Sequence, residues 1–149
     1  MKITYDAIEG AFLSKIFEYD FINLPDSERQ QFVDGLMRRA ITAFKHVCKY
    51  DFVGTADDEA RAFSADVAGK DADELIEIIS EGMLVQWMKP YVYRQENLEN
   101  VVNTKDFTTY SPAALLQQIS AAYAKVQKDY VQMIREYSYN HGDLTRLHI

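Results

Sequence analysis

Between Ser111 and Gly142 the apolar residues Leu116, Ile119, Tyr123, Val126, Tyr130, Met133 and Tyr137 recur at alternating spacings of three and four. A seam at this heptad period predicts one long helix, about 42 Å at 1.5 Å per residue. Ser111 suits its N-cap, and Pro112 brings no N–H that would need a partner in the first turn. Asn140-His141-Gly142 supplies the stop. Such a seam has no independent stability in water, so the helix must lie against others, from its own chain or a neighbour's. Tyr123, Tyr130 and Tyr137 share one heptad position, and each buried phenol needs a partner or water for its hydroxyl. This tyrosine edge predicts a half-wet groove at the rim of a bundle or at a subunit contact. Ordinary intrachain core with the hydroxyls at the surface is the plainer alternative.

Upstream, residues 4–19 read as a first helix, with Ile8, Phe12, Ile16 and Tyr19 on one face. Gly10 weakens it by roughly 1 kcal/mol relative to Ala. Pro25 breaks the pattern, and a second helix starts at Asp26 or Ser27, where Ser27 and Gln30 have capping-box spacing. Its expected buried stripe is Phe32, Leu36, Ala40, Ala43-Phe44 and Val47. Residues 50–70 lack a period: a turn over 51–55, then an Ala- and Asp-rich run that forms one short helix or stays mobile. A third helix over 72–88 places Leu75, Ile76, Ile79, Gly82, Met83 and Trp87 on one face, with Glu74, Glu77 and Glu81 opposite. Leu84, Val85 and Met88 widen the apolar surface, so its C-terminal end should be covered on more than one side.

Pro90 ends or kinks that helix, and a short helical piece over 91–99 follows. Residues 100–110 are β-branched and aromatic without helical period, a loop or short hairpin whose Phe107 and Tyr110 are large rings to leave in water. The prediction is an all-α fold over residues 1–149, one helical domain. It is a bundle of four to five helices with a long C-terminal helix, a non-helical loop or short hairpin near 100–110, and an extended tail at 142–149 carrying Leu144, Leu147 and Ile149.

Composition narrows the function. A chain of 149 residues, 48% hydrophobic and 26% charged, is of globular type. Its net charge of −7 is uneven: residues 54–81 hold nine carboxylates against Arg61 and Lys70, while the remaining fourteen acids and fourteen bases cancel. No basic patch is available to grip phosphates, which excludes ordinary DNA binding. The start of the chain lacks the basic-then-apolar pattern of a signal peptide, and no apolar run approaches a membrane span. Cys48 is the only cysteine, which excludes an internal disulfide and fits a reducing compartment.

Gly-rich phosphate loops, a nucleophile elbow and paired metal-binding histidines are all missing from the sequence. His46, His141 and His148 stand far apart and read as surface or capping residues, and Cys48 reads as a small buried hydrophobe. Glu74-x-x-Glu77 and Glu96-x-x-Glu99 are paired carboxylates on two helical segments. All-α nucleoside-triphosphate pyrophosphatases bind Mg²⁺ with similar acidic pairs, so an enzyme of that kind is one alternative. Here the second pair follows a proline break and ends in Glu where that family prefers Asp. A helical scaffold or regulatory binding protein is a further alternative.

Three longer segments carry a different likeness: residues 82–91 (GMLVQWMKPY), 104–112 (TKDFTTYSP) and 136–140 (EYSYN). Together they resemble the helical head–tail connector, or adaptor, proteins of tailed bacteriophages. The resemblance covers mainly residues 72–149. It implies a non-enzymatic virion protein without catalytic, cofactor or metal residues, present in the virion neck and, during assembly, in the host cytoplasm. Its copies would form a closed ring of about a dozen beneath the portal protein. That ring would extend the DNA channel, let genome DNA pass without specific binding, and dock the next neck or tail protein; no membrane is involved. The interface residues expected on this reading are Phe107, Tyr110, Tyr123, Tyr130, Tyr137, Leu144, Leu147 and Ile149. The carboxylates of 54–81 are expected to face solvent or the channel lumen. The tail is expected to dock on its own bundle or on the next ring. The second is favoured, because the Tyr137-Ser138-Tyr139 end of the long helix is expected to project the tail away from the rest of the chain.

Overall fold

Thr4 starts the first helix: its extended backbone leads in, and its Oγ1 accepts from the N–H of Ala7 at 3.2 Å. The computed structural model describes residues 1–16, 26–93 and 112–141, with side chains described at 1–16, 27–90 and 120–141. Over these residues the chain is mostly helical: α1 (Tyr5–Leu13), α2 (Asp26–Phe44), α3 (Gly69–Tyr93) and α4 (Pro112–His141), with a small hairpin of β1 (Ala56–Asp57) and β2 (Ala62–Phe63). The segments 17–25, 94–111 and 142–149, including the predicted piece at 91–99 beyond residue 93, the loop at 100–110 and the tail, lie outside the described residues.

α1 is shorter than the predicted 4–19. The N–H of Ser14 bonds to the carbonyl of Gly10 at 3.1 Å and its hydroxyl to that of Ala11 at 2.7 Å, closing the last turn. In α2 the stripe is rotated from the predicted one. Val33, Leu36, Met37, Ala40, Ile41 and Phe44 are buried, whereas Phe32 is 47% exposed and Ala43 and Val47 lie outside too. Leu36, Ala40 and Phe44 belong to both patterns. The wider set follows i, i+3, i+4, i+7, i+8, the arc a helix needs when two neighbours cover it.

The stretch read as a turn followed by a short helix or a mobile run is instead a turn plus a hairpin. Ala56 pairs with Phe63 and Asp57 with Ala62, antiparallel. The chain's first residues lie along the hairpin: Ala62 bridges to Thr4, Phe63 N–H donates to the Ile3 carbonyl, and Tyr5 N–H donates to that of Arg61, both at 2.9 Å. Strands of two residues are too short to show an alternation in sequence. What fixes them is aromatic packing, with the Phe63 ring 5.0 Å from that of Tyr5 and 5.1 Å from that of Phe52.

α3 is the central element and packs on α1, α2 and α4. It starts at Gly69 and runs through Pro90, which sits in its last turn, where a missing N–H forfeits one bond. Ala72, Leu75, Ile78, Ile79 and Met83 are buried; Val85 and Met88 are covered as well, as the widened apolar surface predicted. Side chains from all four helices and the hairpin share one hydrophobic core. Among the described residues no helix is long and apolar enough to cross a membrane.

α4 has 30 residues, about 45 Å at 1.5 Å per residue. From Tyr123 on, its predicted seam is the face it turns inward; the side chains of Leu116 and Ile119 lie outside the described ones. Tyr130 and Tyr137 are buried, and Tyr123, Val126 and Met133 pack half-buried against the same core. α4 approaches α3 closely at Gly82. A Cβ there would lie 3.0 Å from Cε2 of Tyr130 on one side and 3.1 Å from Cβ of Ala40 on the other. Gly82 thus lets three helices meet.

Gly82→Ala should therefore destabilise. Overpacking costs about 1–3 kcal/mol, against a helix-propensity gain of about 1 kcal/mol for Gly→Ala, and Tyr130 and Ala40 would both have to give way to the added methyl. The Tyr130 hydroxyl is buried without a hydrogen-bond partner among the described residues, so Tyr130→Phe should keep or raise stability, by up to about 1 kcal/mol. Urea melts of both variants check the pair; a gain for Gly82→Ala would show slack at the crossing.

Candidate functional site

Arg61 is the one described non-glycine residue with a positive φ, 52°. It closes the turn between the two strands, after Asp57 Oδ1 has accepted from the N–H groups of Glu59 and Ala60 at 3.1 and 3.2 Å. A left-handed arginine costs about 1 kcal/mol or more, so its surroundings must hold it. They do so through the guanidinium. Nη1 and Nη2 grip the two oxygens of Asp34 at 3.0 and 3.2 Å, and Nη2 also meets Glu9 Oε2 at 3.1 Å and Asp6 at 3.5 Å. The guanidinium carbon stands 5.3 Å from the centre of the Tyr5 ring. With its amide oxygen turned inward, Gln30 accepts from Nε at 3.2 Å.

One guanidinium thus ties α1, α2 and the hairpin. Two of its carboxyls are nearly sealed from solvent, with Glu9 at 10% and Asp34 at 15% side-chain exposure. They cannot both be charged at ordinary cost. Burial pushes Glu9 up from its usual 4.5 to about 8, helped by a hydrogen bond to Asp34 and by that group's charge. Burial alone would raise Asp34, but the bonds from Glu9 and Arg61 outweigh it and hold Asp34 below its usual range. The two carboxyls therefore share one proton, carried by Glu9. Glu9 Oε1 is buried and has no hydrogen-bond partner among the described residues. A cavity of about 250 Å³ beside the pair is lined by Glu9, Leu13, Arg29, Gln30 and Val33. On the hairpin's other flank Asp58 accepts from the Tyr5 hydroxyl at 2.7 Å and from Arg38 at 3.2 Å. Burial and this bond push the Tyr5 phenol up to about 12, while the same bond lowers Asp58.

A second polar junction lies where α4 ends. Asp71, in the first turn of α3, is buried and accepts from the Tyr50 hydroxyl at 2.8 Å. Tyr50 in turn accepts from the N–H of Ala68 at 3.3 Å. The His141 ring lies 4.4 Å from that of Tyr137, with Nε2 3.5 Å from Glu74 and 3.9 Å from Asp71. Tyr137 is fully buried, its oxygen accepting from the Lys49 N–H at 3.0 Å, and burial raises its phenol. His141 sits at the negative end of α4, a capping position. Burial also raises the Cys48 thiol, which disfavours the thiolate.

The acidic segment departs from its expected exposure at three places. Asp71 is buried, and Glu74 and Glu81 are half-buried. Lys15 bonds Glu77 at 2.8 Å and Glu81 at 2.7 Å. Burial lowers a lysine, but here the two carboxylates prevail and the pKa of Lys15 rises. Glu74 and Glu77, one of the two acidic pairs, thus engage different partners, His141 and Lys15. Glu96 and Glu99 lie outside the described residues. Among the described residues no group of three or more His, Cys, Asp or Glu is placed to hold a metal ion.

Of the residues predicted to form an interface, Tyr130 and Tyr137 are spent on the chain's own core. Their phenols are buried, so this part of the tyrosine edge is neither a half-wet groove nor surface-reaching core. Tyr123 is half-buried against that core, and Phe107, Tyr110, Leu144, Leu147 and Ile149 lie outside the described residues. The Glu9–Asp34–Arg61 cluster was not foreseen. Its one trace in the sequence is Arg61 itself, a base among nine acids. Comparison with protein-family models, with curated proteins and with solved structures finds no match.

The shared proton makes a pH prediction. Because Glu9 is raised in the folded state, the fold binds more protons than the unfolded chain between about 4.5 and about 8. Stability should fall as pH rises through that window. Asp34, being lowered, adds a separate loss only at pH below its usual 3.8. Glu9→Gln, which mimics the protonated acid, should flatten the decline between pH 5 and 8 in thermal melts. An equal slope in the variant would place the titrating group elsewhere.

Proposed function

We propose that this chain is a non-enzymatic structural protein of a tailed-phage virion, a head–tail connector whose copies form a ring beneath the portal. The observation that carries this reading is the state of α4. The helix packs along α3, and among the seam residues whose side chains are described, from Tyr123 on, Tyr130 and Tyr137 are the buried ones. Tyr123 and Val126 are half-covered, Val131 is 38% exposed and Tyr139 85% exposed. A helix about 45 Å long with a partly covered apolar edge is suited to lie against the same helix of a neighbouring copy. Repeated around an axis, that contact closes a ring.

Two features agree with this role. The likeness of 82–91, 104–112 and 136–140 to connector proteins falls on α3, on the approach to α4 and on α4's last turns. The net charge of −7 gives no attraction for phosphates, which suits a conduit through which DNA slides. The partners on this reading are further copies of the chain, the portal protein and the next neck or tail protein.

Light scattering on the purified chain, alone and mixed with a portal ring, tests the proposal. The expected outcome is a mass many times 17.2 kDa, or addition of multiple copies to the portal. A monomer in both samples would overturn it. Phe107→Ala and Tyr110→Ala should then weaken ring formation seen by electron microscopy, since burying each ring stabilises a contact by roughly 1.5–3 kcal/mol.

A further inference from the structure

α4 does not project its end away from the chain. Tyr137 is fully buried, edge-on to Phe44 at 5.2 Å and bonded to Lys49, and His141 lies on Tyr137. The chain therefore leaves α4 one ring away from Phe44, Cys48 and Lys49. Those residues line a groove of about 400 Å³ between the end of α2 and the segment 48–53, whose floor is Ile41, Phe44 and Phe52 and whose lip is Val53. Val53 is 54% exposed and Val47, nearby in sequence, 37% exposed. A second groove of about 240 Å³ shares Ile41, Phe52 and Val53 and continues toward Tyr5.

We propose that this groove is the seat of the chain's own segment 142–149. The proposal is independent of the connector reading. Three observations carry it. The first is position: α4, which the segment follows in sequence, ends at His141 on the ring of Tyr137, and Tyr137 is bonded to Lys49 of the groove wall. The second is reach, because eight residues span up to about 26–29 Å when extended. The third is complementarity. Leu144, Leu147 and Ile149 give the segment three aliphatic side chains for an apolar floor. Asp143 and Arg146 are its charges, and the rim offers Lys45 and Lys49 to the one and Asp51 to the other. A groove of this volume is within the range, roughly 300–1,000 Å³, that encloses small-molecule-sized groups.

Cys48, the chain's single cysteine, lines the groove and reports its occupancy. The experiment compares the rate at which Ellman's reagent modifies Cys48 in the full chain, in a chain ending at Gly142, and in full-length Leu144→Asp/Leu147→Asp. Both variants should react about tenfold faster, the factor set by 1.4 kcal/mol of docking. A synthetic peptide of residues 142–149 added to the shortened chain should restore protection, which loosening of α4 alone would not allow. Full-length Val53→Asp, altered at an exposed lip, should react as fast as the shortened chain, and the peptide should not protect it. Unchanged rates in both tail variants would overturn the proposal, as would failure of the peptide to protect. Protection in the full chain that grows with protein concentration would also overturn it, by assigning the groove to the tail of a second copy.

Discussion

The close approach at Gly82 governs how this chain folds. Ala40 of α2 and Tyr130 of α4 both press on a residue of α3 that has no side chain. With a larger residue there, Tyr130 or Ala40 must give way, and a well-packed interior resists such shifts. α3 can serve as a common spine because it is narrow where its neighbours cross. At the same crossing the Tyr130 hydroxyl is buried with no hydrogen-bond partner among the described residues, an unsatisfied polar atom that costs stability.

Much of this was legible in the sequence, for reasons tied to particular residues. The spacing of Leu75, Ile79, Gly82 and Met83 specified the inner face of α3, and the heptad seam specified that of α4. Both helices are long enough for periodicity to average out local accidents. α2 was legible as a helix but not in its rotation. Phe32 and Val33 are adjacent apolar residues, and only the arrangement of α1, α3 and the hairpin around the helix selects Val33. The hairpin was illegible because two-residue strands carry no alternation. The Arg61 cluster was illegible because Glu9, Asp34 and Arg61 are brought together across 52 residues by three separate elements.

The two polar junctions differ in what they stabilise. Around Arg61, charge is balanced by a proton, so the junction responds to pH and ties the hairpin to α1 and α2. Around Asp71 and Tyr137, neutral phenols make hydrogen bonds near the places where α2 and α4 end and α3 begins. The first holds a light element against the bundle, and the second fixes where the longest helix stops.

Arg61 makes two demands on a single position. The turn's φ of 52° is one that glycine or asparagine adopts more readily, while the carboxyls of Asp34 and Glu9 call for a forked cation. Glycine would ease the backbone and leave two buried acids without a counterion; lysine would keep the charge and lose the fork. No other residue type satisfies both. An attempt to redesign the hairpin would therefore have to change at least three residues together, since replacing the arginine alone leaves Glu9 and Asp34 as a buried acidic pair.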